Sequence, residues 1–97
     1  MEFMQLEMFV AVVEERTVRG ASTRVLRSQP AVSMAISRLE NEIGTPLFLR
    51  ANRRRVLSEA GGILYRYARK LIDLRKEAMS AIAEVQPRLN PEKEGEV

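Results

Sequence analysis

Two sets of side chains in this chain have types and spacing suited to recognition chemistry. The first lies in the stretch SQPAVSMAISRLENEIG, where Gln29, Pro30, Ala31, Ser33, Met34 and Ser37 form a small, partly amide- or hydroxyl-bearing and uncharged group. The second is basic: Arg50, Arg53, Arg54 and Arg55 fall within six positions, with Asn52 among them. Amides and hydroxyls exchange hydrogen bonds with base edges in a groove, and guanidinium groups bind phosphates or enter a narrow minor groove. A solvated helix face ordinarily carries Lys and Glu, so a neutral, small-residue face favours close approach to another surface. The plain alternatives are a serine-rich surface helix and a solvated charge run.

The composition removes other chemistries. The chain has no Cys and no His, which excludes a thiol nucleophile, a Ser–His pair and a structural zinc site built from these ligands. Its acidic and basic residues show no isolated reactive pair away from helix faces, where Glu–Lys and Glu–Arg pairs are ordinary. No enzyme, metal site or cofactor is therefore expected. The net charge is +3 with a pI near 9.8. Its distribution is uneven: residues 1–26 sum to −1, 27–57 to +4, 58–89 to +2 and 90–97 to −2. The excess coincides with the two groups above, as expected of a nucleic-acid binder. The short apolar run from Met8 to Val13 is no membrane span or signal core, so a cytoplasmic location is expected.

The elements that must position these groups follow from periodicity and caps. Leu6, Phe9, Val10 and Val13 recur at helical spacing, predicting a helix over Phe3–Glu15 with Glu7, Glu14 and Glu15 outward. Thr17 caps a second helix reaching Leu26, with Val18, Ala21, Ser22 and Val25 inward. Arg27 and Ser28 leave room only for a sharp corner. Ser28 caps the third helix, Pro30 fits its first turn and Gly44 ends it, while Val32, Ile36, Leu39 and Ile43 form its inward stripe. Residues 47–50 then predict a strand, 51–53 a turn and 54–57 a returning strand. The fold class expected is mainly α: a three-helix winged helix-turn-helix with a short two-stranded wing.

Ser58 caps one more helix, which runs without a breaker from Gly62 to about residue 87, or about 40 Å at 1.5 Å per residue. Leu64, Ala68, Leu71, Arg75, Ala78, Ile82 and Val85 alternate by four and three, a weak heptad seam for a partner helix. The expected organisation is a DNA-binding unit over 1–57, a dimerisation helix over 58–88 and a flexible acidic tail over 89–97.

With these elements placed, SQPAVS, ISRLENEIG, PLFLR and RRRVLSEAG resemble the amino-terminal region of LysR-type transcriptional regulators, without gaps from Leu6 to about Gly61. The resemblance implies a bacterial sequence-specific regulator of double-stranded DNA whose third helix enters the major groove and whose wing meets the adjacent minor groove. It further implies a linker helix that forms a homodimer or higher homo-oligomer, and effector binding through a domain not in this chain. Residues matching Gln29, Pro30, Ser33 and Arg53 commonly contact DNA in that family. Combined with the residue reading, Gln29, Pro30, Ala31, Ser33, Met34 and Ser37 are expected at bases, and Ser28, Arg50, Asn52, Arg53, Arg54 and Arg55 at the backbone. Met34 departs from the usual polar or basic residue and is suited to a thymine methyl. A module that pairs through its long helix but has lost DNA binding is the alternative function.

Overall fold

In the computed structural model, residues 1–52 and 54–85 are described; Arg53, the end expected for the last helix (86–88) and the expected tail (89–97) lie outside them. The element order is α1 Phe3–Glu15, α2 Val18–Val25, α3 Gln29–Ile43, β1 Phe48–Ala51, β2 Arg54–Leu57 and α4 Glu59–Val85. This is the expected helix-turn-helix with a two-stranded wing and a long last helix.

α1 is the centre of the domain, which its spacing did not suggest. Besides Leu6, Phe9 and Val10, the residues Met8, Ala11 and Val12 are buried, whereas Val13 is only half-buried. A helix with α2, α3 and α4 packed around it needs apolar side chains on most of its circumference. α2 and α3 then close against it. Thr17 Oγ1 accepts from the Gly20 amide at 2.9 Å to start α2. Val32, Ala35, Ile36 and Leu39 are the buried face of α3, and Ile43, expected inward, is 38% exposed because it lies in the last turn, where the core ends. Gly44 ends α3 at φ 84°, a left-handed conformation that glycine adopts without a Cβ penalty.

The wing is clamped at its root. The strand begins at Phe48 and not at Leu47, because Leu47 is fully buried and is held by other bonds. The Leu47 amide donates to Glu40 Oε2 at 2.7 Å and the Phe48 amide to the same oxygen at 3.4 Å. From the other side, the Ser58 amide donates to the Leu47 carbonyl at 2.9 Å and the Ser58 hydroxyl to the Pro46 carbonyl at 2.7 Å. Ser58 Oγ also accepts from the Gly61 amide at 2.9 Å, capping α4. A Cβ on Gly61 would sit 2.2 Å from the Leu47 carbonyl oxygen, so only glycine lets α4 begin this close to the wing. One serine and one glutamate thus join the third helix, the wing and the long helix.

α4 packs on α1 through half-buried Leu64 and Tyr65 and buried Ala68 and Ile72, then leaves the core. Every residue from Asp73 to Val85 is exposed, and the molecule measures 60 × 25 × 20 Å.

Candidate nucleic-acid interface

The buried face of α3 determines which of its residues point outward. Pro30, Met34, Ser37 and Asn41 recur at four, three and four on the side opposite Val32, Ala35, Ile36 and Leu39, and all four are exposed. Asn41 was missed by the sequence reading although its spacing would have found it. Gln29 and Ser33 are exposed on the flank nearest the wing, and Ala31 is half-buried on the other flank. Ser28 Oγ accepts from the Ala31 amide at 3.2 Å, which leaves its hydroxyl proton free to donate.

The outward strip has a recess on each side. Ser33 and Ser37 line a cleft with Glu40, Phe48, Leu49, Arg50 and Arg55 of the third helix and wing. Met34 and Ala31 line a second recess with Met4, Met8, Arg27 and Arg38 at the start of α1. The sequence reading put the cationic groups on the hairpin alone; folding places arginines on both sides of the neutral strip. Arg27 and Arg38 were not expected there, since each stands alone in the sequence.

The register of the wing divides its arginines. Phe48 pairs with Leu57, Leu49 with Val56, Arg50 with Arg55 and Ala51 with Arg54. Arg50 and Arg55 therefore share a face with Phe48 and Leu57, and Arg54 lies on the opposite face with Leu49. Arg55 stacks 5.6 Å above the Phe48 ring, which itself packs against Phe9 with ring centroids 5.6 Å apart. Arg50 and Arg55, directly opposed and of like charge, destabilise the hairpin unless an anion lies between them. They also share a shallow recess with Arg16, Thr17 and Val18 at the start of α2, so Arg16 joins the basic surface from a segment whose net charge is negative. Arg53 lies outside the described residues; Asn52 is exposed in the turn at φ 51°.

Charge pairing separates the two sides of the molecule. Among the described residues, Arg16, Arg27, Arg38, Arg50, Arg54 and Arg55 form no ion pair. By contrast, Arg24 and Arg69 converge on Glu14 at 2.8 and 3.5 Å, where α1, α2 and α4 meet. There the Tyr65 hydroxyl donates to Glu14 Oε2 at 2.6 Å. That hydrogen bond holds the Glu14 carboxyl below the ordinary glutamate range, against the effect of partial burial and with help from Arg24. The same bond pushes the Tyr65 phenol up, because ionising it would oppose two anions.

The exposed apolar stripe of the long helix overlaps only in part with its heptad count. Ala68 is fully buried in its own chain, Leu64 packs on the same core, and the Arg75 guanidinium lies 4.8 Å above the Phe3 ring. Those three belong to the face turned toward α1. The exposed apolar stripe is Ile63, Tyr67, Leu71, Leu74, Ala78, Ile82 and Val85, displaced about one residue around the helix. Leu71, Ala78, Ile82 and Val85 are common to both sets.

A profile of bacterial regulatory helix-turn-helix proteins of the LysR family matches residues 3–62. The chain belongs to the LysR family. This is a family of transcriptional regulators and not of enzymes. A probable RuBisCO transcriptional regulator of Gracilaria tenuistipitata var. liui is 38% identical over 82 residues, covering 84% of this chain and 26% of that protein. The HTH-type transcriptional regulator BudR of Klebsiella aerogenes is 41% identical over 90 residues, covering 93% of this chain and 63% of the relative. The chain thus spans about a quarter of the length of the first of these relatives. Among solved structures, the BenM DNA-binding domain in complex with catB site 1 DNA superposes with a TM-score of 0.82 at 34% identity, covering 89% of this chain and 96% of that one. The CbnR DNA-binding domain in its DNA complex gives 0.78 at 30% identity, with 89% and 99% covered. The expected family and fold class are both met. Among the described residues, no helix is long and apolar enough to cross a membrane.

Proposed function

We propose that this chain is the DNA-binding portion of a sequence-specific transcriptional regulator that acts as a homodimer in the bacterial cytoplasm. The observation that carries the reading is the neutral strip of α3 flanked on both sides by arginines that form no ion pair among the described residues. Phosphates of a duplex lie on either side of a groove, and base edges lie between them, so cations belong at the flanks and small polar groups at the centre. The similarity to two family domains solved with DNA supports the same reading. In this reading Gln29, Ser33, Ser37 and Asn41 meet bases by hydrogen bonds, and Met34 meets a thymine methyl. Arg16, Arg27, Arg38, Arg50 and Arg55 neutralise phosphates, and Arg54 does so from the other face of the wing. Two copies pair through the Ile63–Val85 stripe, placing two third helices on half-sites about one or more turns of DNA apart. Effector control is assigned to a part of the regulator outside this chain.

The test begins with selection of bound sites from random duplexes, followed by titration of variants on the selected site. Arg50→Ala weakens binding to every sequence and reduces the slope of log affinity against log salt by about 1. Gln29→Ala costs about 1–3 kcal/mol on the selected site and relaxes preference at one base pair. A chain that dimerises yet retards no duplex at low salt is instead an oligomerisation module without DNA binding.

A further inference from the structure

Two polar contacts outside the DNA-facing surface tie α4 to α1 at separate points. At the end of α1, Glu14 accepts the Tyr65 hydroxyl at 2.6 Å and pairs with Arg69 at 3.5 Å and Arg24 at 2.8 Å. At the start of α1, the Arg75 guanidinium stacks 4.8 Å from the Phe3 ring centre. Phe3 and Glu14 are 11 positions apart and Tyr65 and Arg75 are 10 apart, about 16 and 15 Å along their helices. The two helices therefore run antiparallel and are pinned at both ends of their contact. Between the pins, Ala68 is fully buried and Ile72 nearly so, a short apolar contact.

We infer that Glu14–Tyr65 and Phe3–Arg75 are positioning contacts that set the direction of α4 relative to α3, and through it the half-site spacing the dimer accepts. The inference rests on the dimeric DNA-binding reading above. The contacts are half-exposed and contribute little to stability singly. Their leverage is what matters: Val85 lies 13 residues beyond Ile72, about 20 Å of helix in which Arg75 supplies the contact to α1. A 10° change at the contact, taken as an illustrative angle, moves its end by about 3.5 Å, close to the rise of one base pair. The wing root and the apolar contact hold the start of α4, and the two polar contacts add a lateral constraint at each end of its packing on α1.

The experiment compares the full chain with Glu14→Ala/Arg75→Gln, which removes the acceptor shared by Tyr65 and Arg69, and with Arg75→Lys, which keeps a cation over Phe3. Each is titrated on a single half-site and on duplexes whose half-sites are separated in steps of one base pair. The wild type and Arg75→Lys should prefer the best spacing over its neighbours by about tenfold, the penalty of deforming DNA to meet a rigid dimer. The double variant should reduce that preference to about threefold or less while binding the single half-site within about twofold of wild type. A second arm needs no DNA. The chain lacks cysteine, so spin labels introduced at Thr45→Cys and Glu84→Cys, diluted in unlabelled chain, report one intramolecular distance. Its distribution should broaden by about 3 Å in the double variant. An unchanged distribution overturns the inference, as does an unchanged spacing preference with intact half-site binding. If the wild type binds no duplex, the DNA-binding reading fails, and the label distribution alone decides whether the pins define the angle.

Discussion

Replacing Glu40 isolates the bond that joins the third helix to the wing. Its Oε2 accepts from the Leu47 amide at 2.7 Å and from the Phe48 amide at 3.4 Å, and Leu47 is fully buried. A hydrogen bond to a charged acceptor contributes about 1.5–3 kcal/mol, and a buried amide left without a partner costs about 1–3 kcal/mol. These describe the same loss, so Glu40→Ala should destabilise the domain by about 2–3 kcal/mol, with the weak second bond adding little. Glu40→Gln keeps an oxygen in the same place without its charge, and neutral hydrogen bonds are about half as strong, so it should cost about 1 kcal/mol. Urea unfolding followed by circular dichroism measures both. At a slope of about 1–1.5 kcal/mol per molar urea for a domain this small, the Ala midpoint should fall by about 1.3–3 M and the Gln midpoint by about 0.7–1 M. A loss under about 0.5 kcal/mol in Glu40→Ala, or equal losses in the two variants, would refute the assignment.

Three further outcomes follow from the same geometry. Leu74 is 62% exposed on the outward stripe of α4, so Leu74→Ala should weaken dimerisation by about 1.5–3 kcal/mol per copy, whereas Arg75→Ala should leave it nearly unchanged; sedimentation equilibrium compares them. Leu26 holds φ 57° at the corner between α2 and α3 with its side chain 82% exposed, so Leu26→Asn should stabilise by about 0.5–1 kcal/mol, read from the urea midpoint. The Tyr65 phenol is raised in the folded state, so its contribution is present below about pH 10 and is lost as pH rises through the folded value. Glu14 is lowered, so its contribution is present above about pH 4.3 and is lost as pH falls through the folded value. Stability profiles of the wild type should therefore decline at both extremes more than those of Tyr65→Phe.

Legibility of the interface differed between its parts. The third helix was readable because Ser28, Pro30 and Gly44 mark its ends through local chemistry, and a periodic stripe names its buried side. Ala35 was hidden by its small size, and Asn41 lies two turns or more beyond the capped start of the helix. The wing strands were readable from the turn and the apolar run, but their register divided Arg50 and Arg55 from Arg54. The basic flank made by Arg16, Arg27 and Arg38 was illegible, since those residues come from three segments and no local pattern relates them.

The sequence by itself determined the start of every helix, the ends of the first three to within a residue, the wing and the family. These depend on caps, breakers and periodicity, all of which act over a few neighbouring positions. Only the tertiary structure decided which faces are spent inside the protein. α1 is buried nearly all round because three helices surround it, and Leu64, Ala68 and Arg75 of the α4 heptad pack against that helix within the chain. An apolar period shows that a helix has a face to bury; what buries it depends on the rest of the chain.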